Sequence, residues 1–286
     1  MAFGVAAWNL HEGLAIARKN RAFDLVDAIR GLNKDIVVLS DAFWLGNPQH
    51  GANRNVAAYM LEQLETETPG QDEGYTTIKV DYGEEDWPGH KLVLLSRLAI
   101  SQPTIVNLGK RNAGAIEVED PDTHIPVTII GAHFTDQSEG QRLAQVDHLL
   151  EWADLSRPTI LAGDLNAMPG HTLRSRIARN KTTRSLAAKL PARWPFVTKS
   201  ELDQTGLPTI PERLGEMAVG ETLRRLEKAG LYNTNRYSKP TMPSIRPVWQ
   251  LDHILKTRDL SSHSFEVHPC SPGLSDHRPI SVTVET

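Results

Sequence analysis

Only one cysteine, Cys270, stands in the 286 residues. No intramolecular disulfide can brace the chain, which argues against a secreted, disulfide-cross-linked protein and fits a reducing compartment. Also missing is any run of 18 apolar residues, and Met1–Trp8 lacks the basic start and long apolar core of a signal peptide. The expectation is a cytoplasmic protein with no membrane span. Positive charge is not in excess: 31 Lys and Arg against 35 Asp and Glu leave a net charge of −4. That balance supplies no global field for nucleic acid, although a local groove can still be basic. No repeat and no Gly-, Ser- or Pro-rich linker divides the sequence, so it reads as one domain over residues 1–286, and nothing calls for an obligate protein partner.

What is present is enough apolar material, 40% of residues, for a sizeable core. Short apolar runs suited to strands occur at Phe3–Leu10, Ile36–Leu39, Thr76–Val80, Leu92–Ser96, Ala113–Val118, Val127–His133, Thr159–Ala162, Trp249–Leu255 and Ile280–Val284. Apolar residues at three- and four-residue spacing predict helices over Phe23–Leu32, Val56–Leu64, Gln141–Leu155 and Gly220–Gly230, with Gly31 and Gly230 as end signals. Strands from Thr76 to His133 follow one another without long helices. Antiparallel hairpins, and two sheets packed together under a helical cover, satisfy that pattern better than strict strand–helix alternation.

Several of these strands end abruptly in a polar residue: Ala7-Trp8-Asn9, Leu39-Ser40-Asp41, Gly131-Ala132-His133, Gly163-Asp164-Leu165-Asn166 and Ser275-Asp276-His277-Arg278-Pro279. One such residue is ordinarily a turn or a helix cap. Five together point to a site, because Asp, Asn and His at the ends of buried strands are costly unless paired or bound to something. Oxygen donors without a cysteine cluster or a zinc-spaced His pair select a hard cation, Mg2+ or Mn2+. Such an ion beside Asp and His suits phosphoester hydrolysis.

In order and across the chain, these motifs resemble the endonuclease/exonuclease/phosphatase superfamily. Trp8-Asn9-Leu10 is similar to its first-strand motif, Leu94-Leu95-Ser96-Arg97 to its central hairpin and His133-Phe134-Thr135 to its histidine strand. Gly163-Asp164-Leu165-Asn166, Leu251-Asp252-His253-Ile254 and Ser275-Asp276-His277-Arg278-Pro279 resemble its last three signatures. The resemblance implies an α/β fold, a four-layer α-β-β-α sandwich with two packed mixed β-sheets. It implies Asn9, Asp41 and Asp276 at the metal, Asp164 as the base for the attacking water and Asn166 positioning water or a phosphate oxygen. His277, oriented by Asp252, would stabilise phosphoryl charge, with His133 on the phosphate opposite the metal. The implied chemistry is in-line attack of water on phosphorus.

One departure stands out: the family carries Gln-Glu where this chain has Ser40-Asp41. The ligand arm is shorter by one carbon–carbon bond, about 1.5 Å. A backbone shift, a bridging water or Glu12 must make up the difference. Substrate identity is less legible. Residues 165–200 carry eight basic residues and no acid, whereas Glu62–Asp86 carries nine acids against Lys79 alone. The basic stretch reads as part of a loop insertion around 170–217 and offers Arg174, Arg176 and Arg179 as substrate contacts. A polyanion such as nucleic acid fits it, and so does internal balance of the acidic stretch. Phosphodiesterase or nuclease is the leading expectation; a phosphatase or lipid-headgroup hydrolase, and a binding module that has lost catalysis, are the alternatives. Glu139, Arg142 and Gln145 read as a solvated helix face, Lys91 as a solvated hairpin end, and His11 as surface or structural.

Overall fold

The computed structural model describes residues 2–11, 22–42, 62–66, 74–83, 91–101, 103–169, 220–235, 239–242, 247, 249–271 and 274–286. Twelve strands and three longer helices fill these segments. In chain order they are β1 (Phe3–Asn9), α1 (Ala22–Gly31), β2 (Ile36–Ser40), β3 (Thr76–Asp81), β4 (Lys91–Ser96), β5 (Thr104–Asn107), β6 (Asn112–Glu119) and β7 (Pro126–His133). There follow α2 (Glu139–Trp152), β8 (Thr159–Asp164), α3 (Glu221–Ala229), β9 (Tyr232–Asn233), β10 (Asp252–Lys256), β11 (Ser261–Val267) and β12 (Ile280–Glu285).

The strands form two six-stranded mixed sheets, ordered β11-β12-β1-β2-β4-β3 and β5-β6-β7-β8-β10-β9. At the centre of each lies one parallel pair, β1 with β2 and β7 with β8, and every other pairing is antiparallel. Parallel neighbours need a crossover, and here α1 and α2 occupy the two crossovers. Chain order repeats between the sheets: β1-α1-β2 corresponds to β7-α2-β8 and β3-β4 to β9-β10, so β1 matches β7 and β2 matches β8 in an approximate two-fold arrangement.

Alternation of side chains explains the layering. Val5, Ala7, Ile36, Val38, Leu92 and Leu94 of one sheet meet Ile116, Val127, Ile129, Ile160 and Ala162 of the other. The intervening residues Ala6, Trp8, Val37 and Leu39 face Leu25, Val26 and Ile29 of α1. On the opposite outside, Ile130, Ala132 and Leu161 face Val146 and Leu149 of α2 and Leu223 and Leu226 of α3. The result is the four-layer sandwich expected from the sequence. Gly114 and Gly131 are cross-strand partners on the inner face. A Cβ on Gly114 would come within 2.7 Å of Val80, so the sheets approach closely just below the polar strand ends.

All nine sequence-read strands are present, and three more exist: β5, β9 and β11. Each lies at a sheet edge. The helix read at Val56–Leu64 falls largely outside the described residues, as do the 170–217 insertion and Arg174, Arg176 and Arg179; Glu62–Glu65 is helical. At α2, Ser138 accepts the Gln141 N–H, and at α3 Gly230 closes the helix with φ of 110°. No described helix is long and apolar enough to cross a membrane.

Candidate active site

Parallel pairing puts the C-terminal ends of β1 and β2 side by side in one sheet, and those of β7 and β8 in the other. Asn9, Asp41, His133 and Asp164 therefore gather at one edge of the sandwich. Antiparallel β10 begins there too, with Asp252 opposite Asp164 in register. The Ser275–Pro279 segment enters β12 at the same end: Ser275 Oγ donates to Asn9 O at 2.6 Å, and Trp8 Nε1 donates to His277 O at 3.1 Å. All eight residues singled out from the sequence are brought together.

Gly163 lets the end of β8 pass close to β7. Its φ is 138°, and a Cβ there would sit 2.0 Å from the Ala132 carbonyl oxygen on the neighbouring strand. Only glycine fits at this point of the Gly-Asp-Leu-Asn string. Next comes Asp164, 1% exposed. Its Oδ1 accepts the Asn166 N–H at 2.8 Å, and its Oδ2 accepts from Asn9 Nδ2 at 2.8 Å. Asn166 adopts φ of 47°, a conformation asparagine tolerates better than most residues. Its Nδ2 donates to Phe134 O at 2.8 Å and lies 3.2 Å from His133 Nε2. The His133 ring is gripped at both nitrogens. Nδ1 is 3.1 Å from Asp41 Oδ1 and 3.0 Å from Tyr82 Oη.

On the other flank, His277 Nδ1 and Asp252 Oδ2 are 2.7 Å apart, while His277 Nε2 lies 3.9 Å from both Asp164 Oδ2 and Asp276 Oδ1. Asp276 Oδ1 also lies 3.0 Å from His11 Nδ1. Burial disfavours an imidazolium at His277, but the carboxylates of Asp252 and Asp276 outweigh it and raise the pKa well above the ordinary histidine value. Asp276 is held below the usual carboxylate range: burial opposes this, and His277 with His11 prevails. Burial, and then the charge of Asp252, push Asp164 up to about 6 despite His277 and His133. An acid near 6 beside a histidine held protonated has the protonation needed to accept a proton and to stabilise an anion.

Tyr82 was not singled out from the sequence, and Ser275 and His253 stood in quoted motifs without a role. Tyr82 continues the inward alternation of Ile78 and Val80, and its oxygen accepts the Asp41 N–H at 2.8 Å. Buried His253 is driven to a pKa of about 4 by burial and is therefore neutral. It bonds Ala167 O through Nε2 at 2.7 Å and lies near the Asn233 and Gln250 amides through Nδ1. That arrangement fastens the loop after Asn166.

Glu139, Arg142 and Gln145 are not a solvated face: they are 6%, 0% and 2% exposed. Arg142 Nε donates to Glu139 Oε2 at 2.9 Å and its NH1 to Thr135 O at 3.0 Å; Gln145 Oε1 accepts the Thr135 N–H, and Glu139 Oε1 the Thr222 N–H. The polar stripe of α2 thus grips the segment after His133 and the start of α3. Lys91, read as solvated, is mostly buried and ion-paired with Asp81. A cleft of about 610 Å³ lies elsewhere, beside α3 and β9–β10, and includes Arg224, Lys256 and Arg258 but none of the eight site residues. Glu12 lies outside the described residues.

A model described as the Endonuclease/Exonuclease/phosphatase family matches residues 6–277. The chain belongs to that family and is a hydrolase acting on phosphoester bonds. No curated protein matches it by sequence. Among solved structures, an endonuclease/exonuclease/phosphatase from Beutenbergia cavernae is 19% identical, with a TM-score of 0.63 over 99% of this chain and 71% of that one. A mannosyl-6-phosphatase of Bacteroides thetaiotaomicron is 14% identical (TM-score 0.63; 99% and 100% covered). The human Nocturnin catalytic domain, solved with a sulfate anion, is 15% identical (TM-score 0.61; 99% and 93% covered). At these identities the likeness is one of fold.

Proposed function

We propose that the chain is a divalent-metal-dependent phosphodiesterase, acting on nucleic acid by in-line attack of water on phosphorus. The observation that carries this reading is Asp164: a buried carboxylate, pushed to about 6, between the His277–Asp252 pair and the His133–Asn166 pair. Asp164 would take the proton of the attacking water. His277, held protonated, would donate through Nε2 to a phosphoryl oxygen, and Asn166 and His133 would orient the phosphate from the other side.

The donor set fits Mg2+ or Mn2+. Asp41, Asp164, Asp252 and Asp276 share one site with His11, His133 and His277, and Asp252 Oδ1 is buried without a hydrogen-bond partner among the described residues. So much buried negative charge favours a bound cation. One donor atom from each of Asp164, Asp252 and His277 lies within 4.8 Å of the others. An ion there would have to break the 2.7 Å His277–Asp252 bond. Asp41 and Asp276, with Asn9 beside them, are therefore the better holders. When bound, the ion would polarise a phosphoryl oxygen and offset its charge.

The basic stretch from Arg174 to Lys199 supports a polyanionic substrate. Whole-chain likeness to a mannosyl-6-phosphatase favours, as second reading, a small phosphomonoester. Hydrolysis of bis(p-nitrophenyl) phosphate, p-nitrophenyl phosphate, DNA, RNA and sphingomyelin should be measured with Mg2+ or Mn2+, with and without chelator, for the native chain and Asp164→Ala. Diester and nucleic-acid cleavage abolished by chelator and by the substitution is expected. Monoester turnover alone would select the second reading, and metal-independent turnover would sink the mechanism.

A further inference from the structure

Asn9 would be the neutral oxygen donor of the metal site, yet its amide oxygen faces away from the carboxylates. Oδ1 accepts the His11 N–H at 2.7 Å, while Nδ2 donates to Asp164 Oδ2 at 2.8 Å and lies 3.4 Å from Asp41 Oδ2. Turning the amide over would set its oxygen against two carboxylates and its NH2 against an N–H. The neighbours thus fix its orientation. The turn that occupies Asn9 Oδ1 also delivers another side chain: His11 adopts φ of 45° and lays Nδ1 3.0 Å from Asp276 Oδ1.

The turn that carries His11 has the same build as the one that follows Asp164. Asn9-Leu10-His11 at the end of β1 repeats the local geometry of Asp164-Leu165-Asn166 at the end of β8. In both, the first side chain accepts the third residue's N–H, at 2.7 and 2.8 Å, and the third residue is left-handed, at 45° and 47°. The one turn directs Asn166 to His133, and the other directs His11 to Asp276.

We propose that His11 is a ligand of the cation, its Nδ1 taking the neutral-donor place beside the Asp41 and Asp276 carboxylates, so that the site prefers Mn2+ or a later first-row ion to Mg2+. The inference rests on the metal-dependent reading above. Mg2+ demands near-ideal oxygen octahedra and dehydrates reluctantly, whereas imidazole suits borderline ions. Asp41, one methylene shorter than Glu, leaves the site a looser oxygen cage, which a nitrogen donor helps to close.

The test uses the full chain stripped of metal, titrated with Mn2+ by electron paramagnetic resonance and with Mg2+ by competition. His11→Ala, His11→Asp and Asp41→Ala are run beside it. Native protein is expected to show 14N coupling to Mn2+. In His11→Ala the coupling disappears and Mn2+ affinity falls by about 10- to 100-fold, with a smaller change for Mg2+. His11→Asp, an oxygen donor, narrows the Mn2+ to Mg2+ ratio. Unchanged coupling and affinity in His11→Ala would overturn the role of His11 while leaving metal dependence intact. A native chain that binds neither ion, or binds them as tightly after Asp41→Ala, defeats the metal reading itself and this inference with it.

Discussion

At pH 8 the Asp164 carboxylate is ionised although its surroundings set its pKa at about 6, against 3.8 for an ordinary aspartate. A displacement of about two pH units is worth about 3 kcal/mol. The sign follows from linkage: the folded chain binds this proton more tightly than the unfolded one, so the contribution is fully present below pH 3.8 and lost as pH rises through 6. Asp164→Asn removes that dependence. It also has a cost, because an amide keeps one acceptor for the Asn166 N–H but sets an NH2 against Asn9 Nδ2, forfeiting a 2.8 Å bond worth about 1–2 kcal/mol. The metal-free variant should therefore be about 1–2 kcal/mol more stable than the native chain at pH 8, and less stable by a similar amount at pH 4. Urea denaturation of both proteins in chelator, at half-unit steps across this range, reads the difference, and groups common to both cancel. A stability difference that stays constant across the range would refute the idea that Asp164 bears an uncompensated buried charge. In the same experiment the variant should lose hydrolysis, trading activity for stability.

The partner of His277 gives a complementary test. Asp252→Asn should bring the His277 pKa down markedly in an NMR titration, since burial then acts with less opposition. Native stability held by the imidazolium is present below the unfolded histidine pKa and lost as pH rises through the folded one, so the variant should lose it at lower pH. Gly163→Ala meets both a φ of 138° and the Ala132 oxygen, and should cost about 2–4 kcal/mol by chemical denaturation. Gly140→Ala, with nothing within 4 Å of the added carbon, should be neutral or stabilising by about 0.5–1 kcal/mol. Arg142→Met strands Glu139 in the interior and should cost about 3–5 kcal/mol, with a smaller loss when Glu139→Gln is added.

Legibility in the sequence tracked burial. Strands that lie inside the sheets announced themselves by apolar runs; β5, β9 and β11 lie at edges, and no residue of Ser261–Val267 is fully buried. Without a buried face there is no alternation to read. The candidate site residues were legible because each is a polar side chain at or just beyond the end of a buried apolar run. Glu139, Arg142 and Gln145 were misread for the converse reason. Their spacing marks one helix face, but its partners, Thr135 and Thr222, come from outside the helix. Periodicity identifies a face and is silent on what meets it. Tyr82 was missed because it lies just beyond the end of β3, although it keeps that strand's alternation.

The two-fold relation between the sheets accounts for where the site lies: it sets Asn9 with His133 and Ser40 with Asp164 at the ends of the two parallel pairs. Asn9 Nδ2 and Asp164 Oδ2 meet at 2.8 Å across the two sheets, an amide against a carboxylate, which lets the pair bond where two carboxylates would repel. Beyond it the halves diverge in charge. The β2 and β12 side collects Asp41, Asp276, His11 and His277, and the β7 side presents His133 with Asn166. A phosphate with its anionic oxygens toward His277, His133 and Asn166, and a cation toward Asp41 and Asp276, would have one favourable orientation. Asn9→Asp should therefore damage the centre more than Asp41→Asn. It adds a second charge against Asp164 within hydrogen-bond distance and should raise the Asp164 pKa above 6, visible as an alkaline shift of the acid limb of the pH–rate profile.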